Sequence, residues 1–498
     1  MRTTLARSMA SVLLASAMVA SIDLAAADQW IEVKSAHFTL VSNAGEGTTR
    51  RMAWQLEQMR GALTALWSWM KPDLNKPLRI LVLKDENSMR QFAPEYWERR
   101  GGMRPASLWM TGPDQHYLAV RTDVEVDDQI TLNPYLSAYF SYAGLVLDQS
   151  IDAELPYWFM RGFTGILSNT IVRDDRVLFG PIIPWHINAL RDQPRIPLAK
   201  LVTVTKRSPD LRQSEFLQTF DAQTWALVHY LLFGDQGKRA PQLGAFIKLA
   251  AEGKDPVAAF TEALGPIDAV EGGLLIYVQR QLFAYQHVKV DVNVQREKFP
   301  VRQIPAAEAA SSRALFHAVN DRPVESRAAI AEARKLDAKD ATSYAAEALV
   351  LDREKKRDEA KVAYARAVEL GTSSAYAHYR LASLTWQTPP SKDTLAAVDG
   401  LLSKAIDRNI RYAAAYAWLG DIRVSLGNPE GVGLIRRAIT LEPRETSHRL
   451  RAATVMLRQG KPAEARVDAQ AALTLAETDD ERRRAQDLLD AIAKAARQ

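Results

Sequence analysis

Apolar positions change their spacing along this chain, and the change divides it into two regions. In Ile31–Lys34 and Phe38–Val41 they alternate or cluster as in strands, and Leu78–Leu83 is a short apolar run that predicts a buried strand. Between them, Trp54, Leu56, Met59, Leu63, Leu66 and Trp67 recur at helical spacing, predicting a helix over 54–69. Ser107–Met110 and Tyr117–Val120 extend the strand pattern, after the turn-rich Arg99-Arg100-Gly101-Gly102. Beyond Asp128 the spacing is helical through 130–147, 156–169 and 222–233. A small sheet followed by helices predicts an α+β fold for residues 28–286.

After Pro305 the pattern becomes Ala-rich helix pairs. Ala333, Ala367, Ala405, Ala438 and Ala472 occupy equivalent points, 34, 38, 33 and 34 residues apart. The ending recurs in Ala367-Val368-Glu369-Leu370, Ala438-Ile439-Thr440-Leu441 and Ala472-Leu473-Thr474-Leu475, and the one long step coincides with Thr388-Pro389-Pro390-Ser391-Lys392. A period of 34 with small residues at close helix approaches resembles tetratricopeptide repeats, expected over 305–479 as an all-α superhelix, with a polar capping helix at 480–498. Residues 287–304, with the alternating Val288–Val294, are expected as an exposed strand or linker between the two regions.

Composition narrows the classes. With 47% hydrophobic and 25% charged residues the chain is a folded protein, and 498 residues exceed one core. The net charge of +5 is spread without a basic block, so nucleic acid is not an expected partner. Arg2 and Arg7, the apolar Met9–Ile22 and Ala25-Ala26-Ala27 form a secretory signal pattern over 1–27, shorter than the roughly 20 apolar residues of a membrane span. The mature protein is therefore expected to be exported, periplasmic or extracellular, with no stable membrane span. The absence of Cys removes disulfides, thiol nucleophiles and Cys-ligated metals.

The candidate chemistry centres on Leu155-Pro156-Tyr157-Trp158-Phe159-Met160-Arg161-Gly162-Phe163. This stretch resembles the "L-P-x-W-x-x-E-G-x-A-E" segment of gluzincin-type, or peptidase MA-like, zinc peptidases. Ser35-Ala36-His37-Phe38-Thr39-Leu40-Val41-Ser42 is similar to their "S-x-H-F-x-L-x-S" strand, and Gln223-Thr224-Trp225-Ala226-Leu227-Val228-His229-Tyr230-Leu231 to their "Q-S-W-A-L-V-H-Y-L" helix. The family hydrolyses peptide bonds with zinc held by H-E-x-x-H, two His at i and i+4 with the Glu activating water, and by a Glu on the following helix. The resemblance places Phe140 and Gly144 at the two His positions, Ser141 at the general base and Arg161 at the third ligand. None of the four can do that chemistry. The eight histidines are His37, His116, His186, His229, His287, His317, His378 and His448, and no two lie four apart.

The resemblance thus implies a peptidase fold with no metal, no cofactor and no peptidase activity. The expected function is protein or peptide binding through the repeats, with Tyr344, Tyr376, Tyr379, Tyr416 and Trp418 as candidate contacts or as packing between repeats. The alternative is a hydrolase with a relocated metal or a non-zinc nucleophile. Arg161 is expected to pair with a carboxylate, Asp148 or Glu57, or to bind an acidic ligand or a peptide C-terminus. Asp148 and Asp152 read as a solvated helix end. Ser68-Trp69-Met70-Lys71 and Gly234–Arg239 match catalytic and phosphate-loop patterns only by chance, and His37 and His229 read as hydrogen-bonded core histidines on a strand and a helix.

Overall fold

The computed structural model describes residues 29–98, 104–124, 132–133, 135–151, 155–173, 176–192, 194–290 and 295–496. The expected signal segment, the turn at 99–102 and Asp152 lie outside the described residues.

Among the described residues nine strands form two sheets: β1 (Trp30–Lys34), β2 (Thr39–Ser42), β3 (Leu78–Leu83), β4 (Ser107–Thr111), β5 (His116–Arg121), β6 (Ile171–Arg173), β7 (Arg176–Phe179), β8 (Gln286–Lys289) and β9 (Val301–Ile304). The larger sheet has the order β4-β5-β3-β2-β1-β9, with β2, β3 and β5 parallel to one another and the remaining pairs antiparallel. The smaller has the order β6-β7-β8. The segment expected as an exposed strand or linker thus carries a strand at each end, and both belong to sheets. Val33 of β1 pairs with Val301 of β9, so residues after 287 complete the first sheet rather than lead away from it.

Alternation along the strands explains both faces of that sheet. Val33, Leu40, Ile80, Val82, Leu118 and Val120 share one core with the Glu46–Leu66 helix and the helices that follow. The intervening residues, Trp30, Val41, Leu81, Leu83, Tyr117 and Ala119, form a second core with Ile304, Ala314, Phe316, Ile330 and Leu349 of the repeat region. The apolar run of β3 is what a strand buried on both faces requires. The first repeat therefore roofs the sheet, and the two regions share a core.

The helix over 54–69 begins eight residues earlier and runs Glu46–Leu66, its first turn starting with an acidic residue at the positive helix end. The predicted 130–147 and 222–233 helices are Leu136–Ser150 and Ser214–Phe233.

The repeat region consists of five helix pairs, Ala306–Val319 with Pro323–Leu336, Ala341–Arg353 with Arg357–Glu369, Ala375–Thr385 with Lys392–Arg408, Ala413–Ser425 with Glu430–Leu441, and Thr446–Arg458 with Pro462–Leu475, closed by Asp479–Ala495. The five register alanines are completely buried. Thr478 caps the last helix, and its Oγ1 and Glu481 form a reciprocal capping box. In the fourth pair, a Cβ on Gly420 would lie 2.5 Å from the Gly431 carbonyl oxygen and 2.6 Å from Ile435 Cγ1. Gly420→Ala is expected to cost roughly 1–3 kcal/mol, read as a lowered urea midpoint. An unchanged midpoint would contradict this close approach.

Candidate functional site

Three helices meet where the resemblance places a metal. The motif helix, Leu136–Ser150, carries Phe140, Ser141 and Gly144. The next helix, Tyr157–Ser168, starts at Pro156 and carries Arg161, and Ser214–Phe233 passes behind it. Pro156 fits this start because its missing N–H would be unsatisfied in a first turn anyway. Trp158, Phe159 and Phe163 are buried, and they anchor the Arg161 helix in the core. A Cβ on Gly144 would be 3.6 Å from Thr164 Cγ2, so the motif helix and the Arg161 helix touch at this point.

Phe140 and Arg161 are in direct contact. The Arg161 guanidinium lies over the Phe140 ring, 4.6 Å from its centroid. Arg161 Nε donates to Asp221 Oδ1 at 2.9 Å and Nη2 to Oδ2 at 2.5 Å, a bidentate pair half-buried on both sides. A planar guanidinium matches a carboxylate in this fork geometry and has no lone pair for a cation. Ser141 Oγ donates to the Ser137 carbonyl of its own helix at 3.0 Å. Beside the pair, His186 stacks on Trp225 with ring centroids 5.8 Å apart, and burial together with the Arg161 charge pushes its pKa down to about 4.

Both carboxylates expected to serve Arg161 have other partners. Asp148 accepts from Arg444 of the repeats at 3.0 Å, and Glu57 is held by His37. Asp221 follows Arg161 by 60 residues, and adjacency in sequence gave no sign of it. Its place in the sequence, two residues before the Gln223–Leu231 helical segment, was the signal available.

His37 sits in the turn between β1 and β2 rather than on a strand. Its backbone N–H and Nδ1 lie 2.9 and 2.8 Å from the two oxygens of buried Glu57. The ring borders a cavity of about 380 Å³ between the two regions, lined also by Asp73, Lys76, Arg408 and Arg411. His229 is the core histidine expected: Nδ1 meets Tyr277 Oη and Nε2 meets the Gly180 carbonyl, both at 2.8 Å.

The candidate aromatics of the repeats are engaged in packing. Tyr379 meets Tyr412 and Trp418, Trp418 meets Trp386, and Tyr344 lies beneath Arg334. Successive first helices are tied by Arg380 to Asp352 and Arg451 to Asp421. One edge of the array is occupied by the first region. Tyr376 N–H and Ser374 Oγ donate to Asp114 Oδ2 at 2.9 and 3.2 Å, Arg411 donates to the Leu74 carbonyl at 2.7 Å, and Lys206 reaches Glu477 at 3.2 Å.

Burial pushes the Asp114 carboxyl up. Both donors end on one oxygen, so Asp114→Asn can keep them whereas Asp114→Ala leaves them unmatched. The alanine variant is expected to lose about 1–3 kcal/mol in urea unfolding and the asparagine variant little. Equal losses would contradict the geometry.

Buried histidines make the protein acid-sensitive. Burial lowers His116, His229 and His317 from 6.5 to about 4. A lowered histidine favours the native state fully above its unfolded value. That contribution declines as pH falls from 6.5 towards 4 and is then spent. Asp114 and Asp340, both raised by burial, act in the opposite direction. The histidines are expected to prevail, lowering the urea midpoint between pH 7 and pH 4.5 by the equivalent of a few kcal/mol, on the order of 3 per fully buried ring at most. A flat or rising midpoint would contradict this.

No family model matches the chain, and no curated protein matches it. Among solved structures, it is similar to YrrB, a TPR protein with an unusual peptide-binding site. Identity there is 16%, covering 36% of this chain and 92% of that one, with a TM-score of 0.31. A MamA protein is 20% identical over 33% of this chain and 91% of its own, at a TM-score of 0.28. Pseudomonas aeruginosa pilF is 14% identical over 38% and 88%, at 0.30. The five stacked helix pairs themselves define the repeat half.

Proposed function

We propose that this chain is an exported, non-catalytic relative of gluzincin-type zinc peptidases that binds a protein or peptide segment through its tetratricopeptide-like array. The observation that carries the loss of catalysis is the Arg161 pair. At the position of a zinc ligand stands a guanidinium that spends its fork on Asp221 and its face on Phe140. A dication placed beside it would meet a fixed positive charge, and the nearby His186 is stacked on Trp225 rather than paired with a second histidine at i+4. The proposed peptidase kinship is supported by three sequence segments and by the packing of Phe140 on Arg161 and of Gly144 on Thr164 across two helices.

The binding role follows from the array, since stacked helix pairs present an extended inner surface built by the first helix of each pair. One edge is already taken by the first region, so the partner is assigned to the inner face. Full-length protein carrying a photocrosslinker at Trp386, which packs against Trp418 of the next first helix, is expected to capture a polypeptide partner. The same group at Val362, on a second helix and 71% exposed, should not. Capture at Val362 alone would sink the inner-face reading.

A second reading is favoured by His37. A histidine fixed through Nδ1 by a buried carboxylate and bordering a cleft has the form of a general base with its orienting group. The cleft lining contains no Ser, Thr or Cys, so such a hydrolase would have to activate water directly. Ester or peptide cleavage lost in His37→Gln and insensitive to chelators would favour it over binding.

A further inference from the structure

Exposed large apolar side chains are scattered singly over most of this protein, but three of them, Ile276, Leu282 and Tyr285, fall within ten residues of one another, and a fourth, Trp185, lies on a helix fastened to the same segment. Ile276 is 71% exposed, Leu282 88%, Tyr285 39% and Trp185 51%. Ile276 lies on the last turns of the Ile267–Val278 helix, and Leu282 and Tyr285 on the irregular segment that leads into β8. Trp185 belongs to the Pro184–Asp192 helix. That helix is fastened to the same place by Arg191, whose guanidinium donates to the carbonyls of Val278 and Arg280 at 3.0 and 2.6 Å.

The segment holding Leu282 is firmly seated although Leu282 itself projects. Its neighbour Phe283 packs edge-on against Tyr277 at 5.4 Å and against His229 at 5.9 Å. The projection is therefore a property of the fold, and it costs free energy in water.

The polar surroundings are cationic. Residues 272–290 contain Arg280 and Lys289 and no carboxylate. The adjoining turn adds Lys238 and Arg239, and its one acid, Asp235, is shared by Arg239 at 3.2 Å and Arg280 at 3.8 Å. Arg280 also covers the Tyr277 ring and Arg239 the Tyr230 ring, and these two rings touch, which groups both cations about Tyr277, the residue next to Ile276 in its helix.

We infer that this corner docks the protein onto an anionic lipid surface, with Leu282 and Ile276 entering the acyl boundary and Lys238, Arg239, Arg280 and Lys289 meeting the headgroups. Charge complementarity selects the occupant. A few projecting apolar side chains ringed by cations suit a fluid negative interface, where aromatic residues such as Trp185 and Tyr285 settle at headgroup level. A protein partner of ordinary size would instead call for a continuous matched face of about 800 Å². Helix spanning plays no part, since no helix among the described residues is long and apolar enough to cross a membrane. The inference is independent of what the array binds.

The test is co-sedimentation of the full-length protein with vesicles of phosphatidylcholine alone and of phosphatidylcholine with phosphatidylglycerol. Binding is expected only with phosphatidylglycerol, falling as salt rises, with a blue shift of tryptophan emission that is lost in Trp185→Phe. Ile276→Asp and Leu282→Asp change exposed positions and leave the fold intact, and each is expected to weaken binding about tenfold. Lys238→Glu with Arg280→Glu should weaken it by a similar factor. The inference is overturned if phosphatidylglycerol vesicles fail to sediment the protein at low salt, or if Leu282→Asp binds as wild type does. It is equally overturned if a crosslinker at Leu282 captures a polypeptide while vesicles capture nothing.

Discussion

Gly162→Ala is expected to destabilise the fold severely and to lower the soluble yield. A Cβ at this position would overlap the Thr224 carbonyl oxygen and lie 2.7 Å from both the Thr224 carbonyl carbon and Val228 Cγ2. The obstacle is backbone of Ser214–Phe233, so the Arg161 helix can accept a methyl only by moving away from it. That shift would loosen the packing around Trp158, Phe163 and Trp225, all buried in the same core. Overpacking of this kind costs roughly 3 kcal/mol or more, a large part of a typical stability of about 5–15 kcal/mol. Gly165 makes a useful contrast on the same helix. Its added Cβ would stand 3.3 Å from a Trp225 side-chain atom, which can give way. Soluble yield and the urea midpoint should fall far more for Gly162→Ala than for Gly165→Ala. Equal effects would mean the two helices are not in backbone contact.

Truncation after residue 304 is expected to yield an insoluble chain rather than a free first region. Phe316, Ala314, Ile330 and Leu349 cover Trp30, Val41, Leu81, Leu83, Phe92 and Tyr117 on the far face of the sheet. Uncovering six large side chains at about 1.5–3 kcal/mol each amounts to roughly 10 kcal/mol or more, comparable to the whole stability of a domain. The measurement is expression and sedimentation of residues 29–304 beside residues 29–498. A soluble, cooperatively unfolding 29–304 would show that the roof is dispensable. For the same reason, partner binding has to be tested by point variants of the full-length chain.

The sequence pattern exposed the repeats well because a solenoid states its rule five times. Each register alanine faces a neighbouring helix, and a single period records them all. The strands of the first region were legible for a similar reason, through the alternation in Ile31–Lys34 and the apolar run of Leu78–Leu83. That run also held information left unused, since a strand apolar on both faces needs two covers and helices on one side supply only one. The roof came from residues predicted to lie beyond a linker. β9 reads as linker because Val301-Arg302-Gln303-Ile304 is short and half polar, as an edge strand is.

At the candidate site, Phe140 lies against Arg161 and Gly144 against Thr164, because the two helices that carry these positions are neighbours in sequence and pack together. The Asp221 partner was beyond that reasoning. It depends on how a helix 60 residues downstream crosses behind the Arg161 helix, and nothing local encodes such a crossing. Asp148 and Glu57 were chosen for nearness along the resemblance. The structure spends Asp148 on Arg444 and Glu57 on His37, two contacts made between segments with no common pattern.

On the proposed peptidase kinship, the Arg161–Asp221 ion pair stands where a metal would be. Elemental analysis of the purified full-length protein tests it most directly, with the variant Phe140→His, Ser141→Glu, Gly144→His, Arg161→Glu beside it. The account predicts no stoichiometric zinc in the wild-type chain and, if Phe140 and Gly144 pack against the Arg161 helix as described, about one zinc per chain in the variant. One tightly held zinc per wild-type chain, removed by a chelator together with cleavage of a denatured protein substrate, would contradict it.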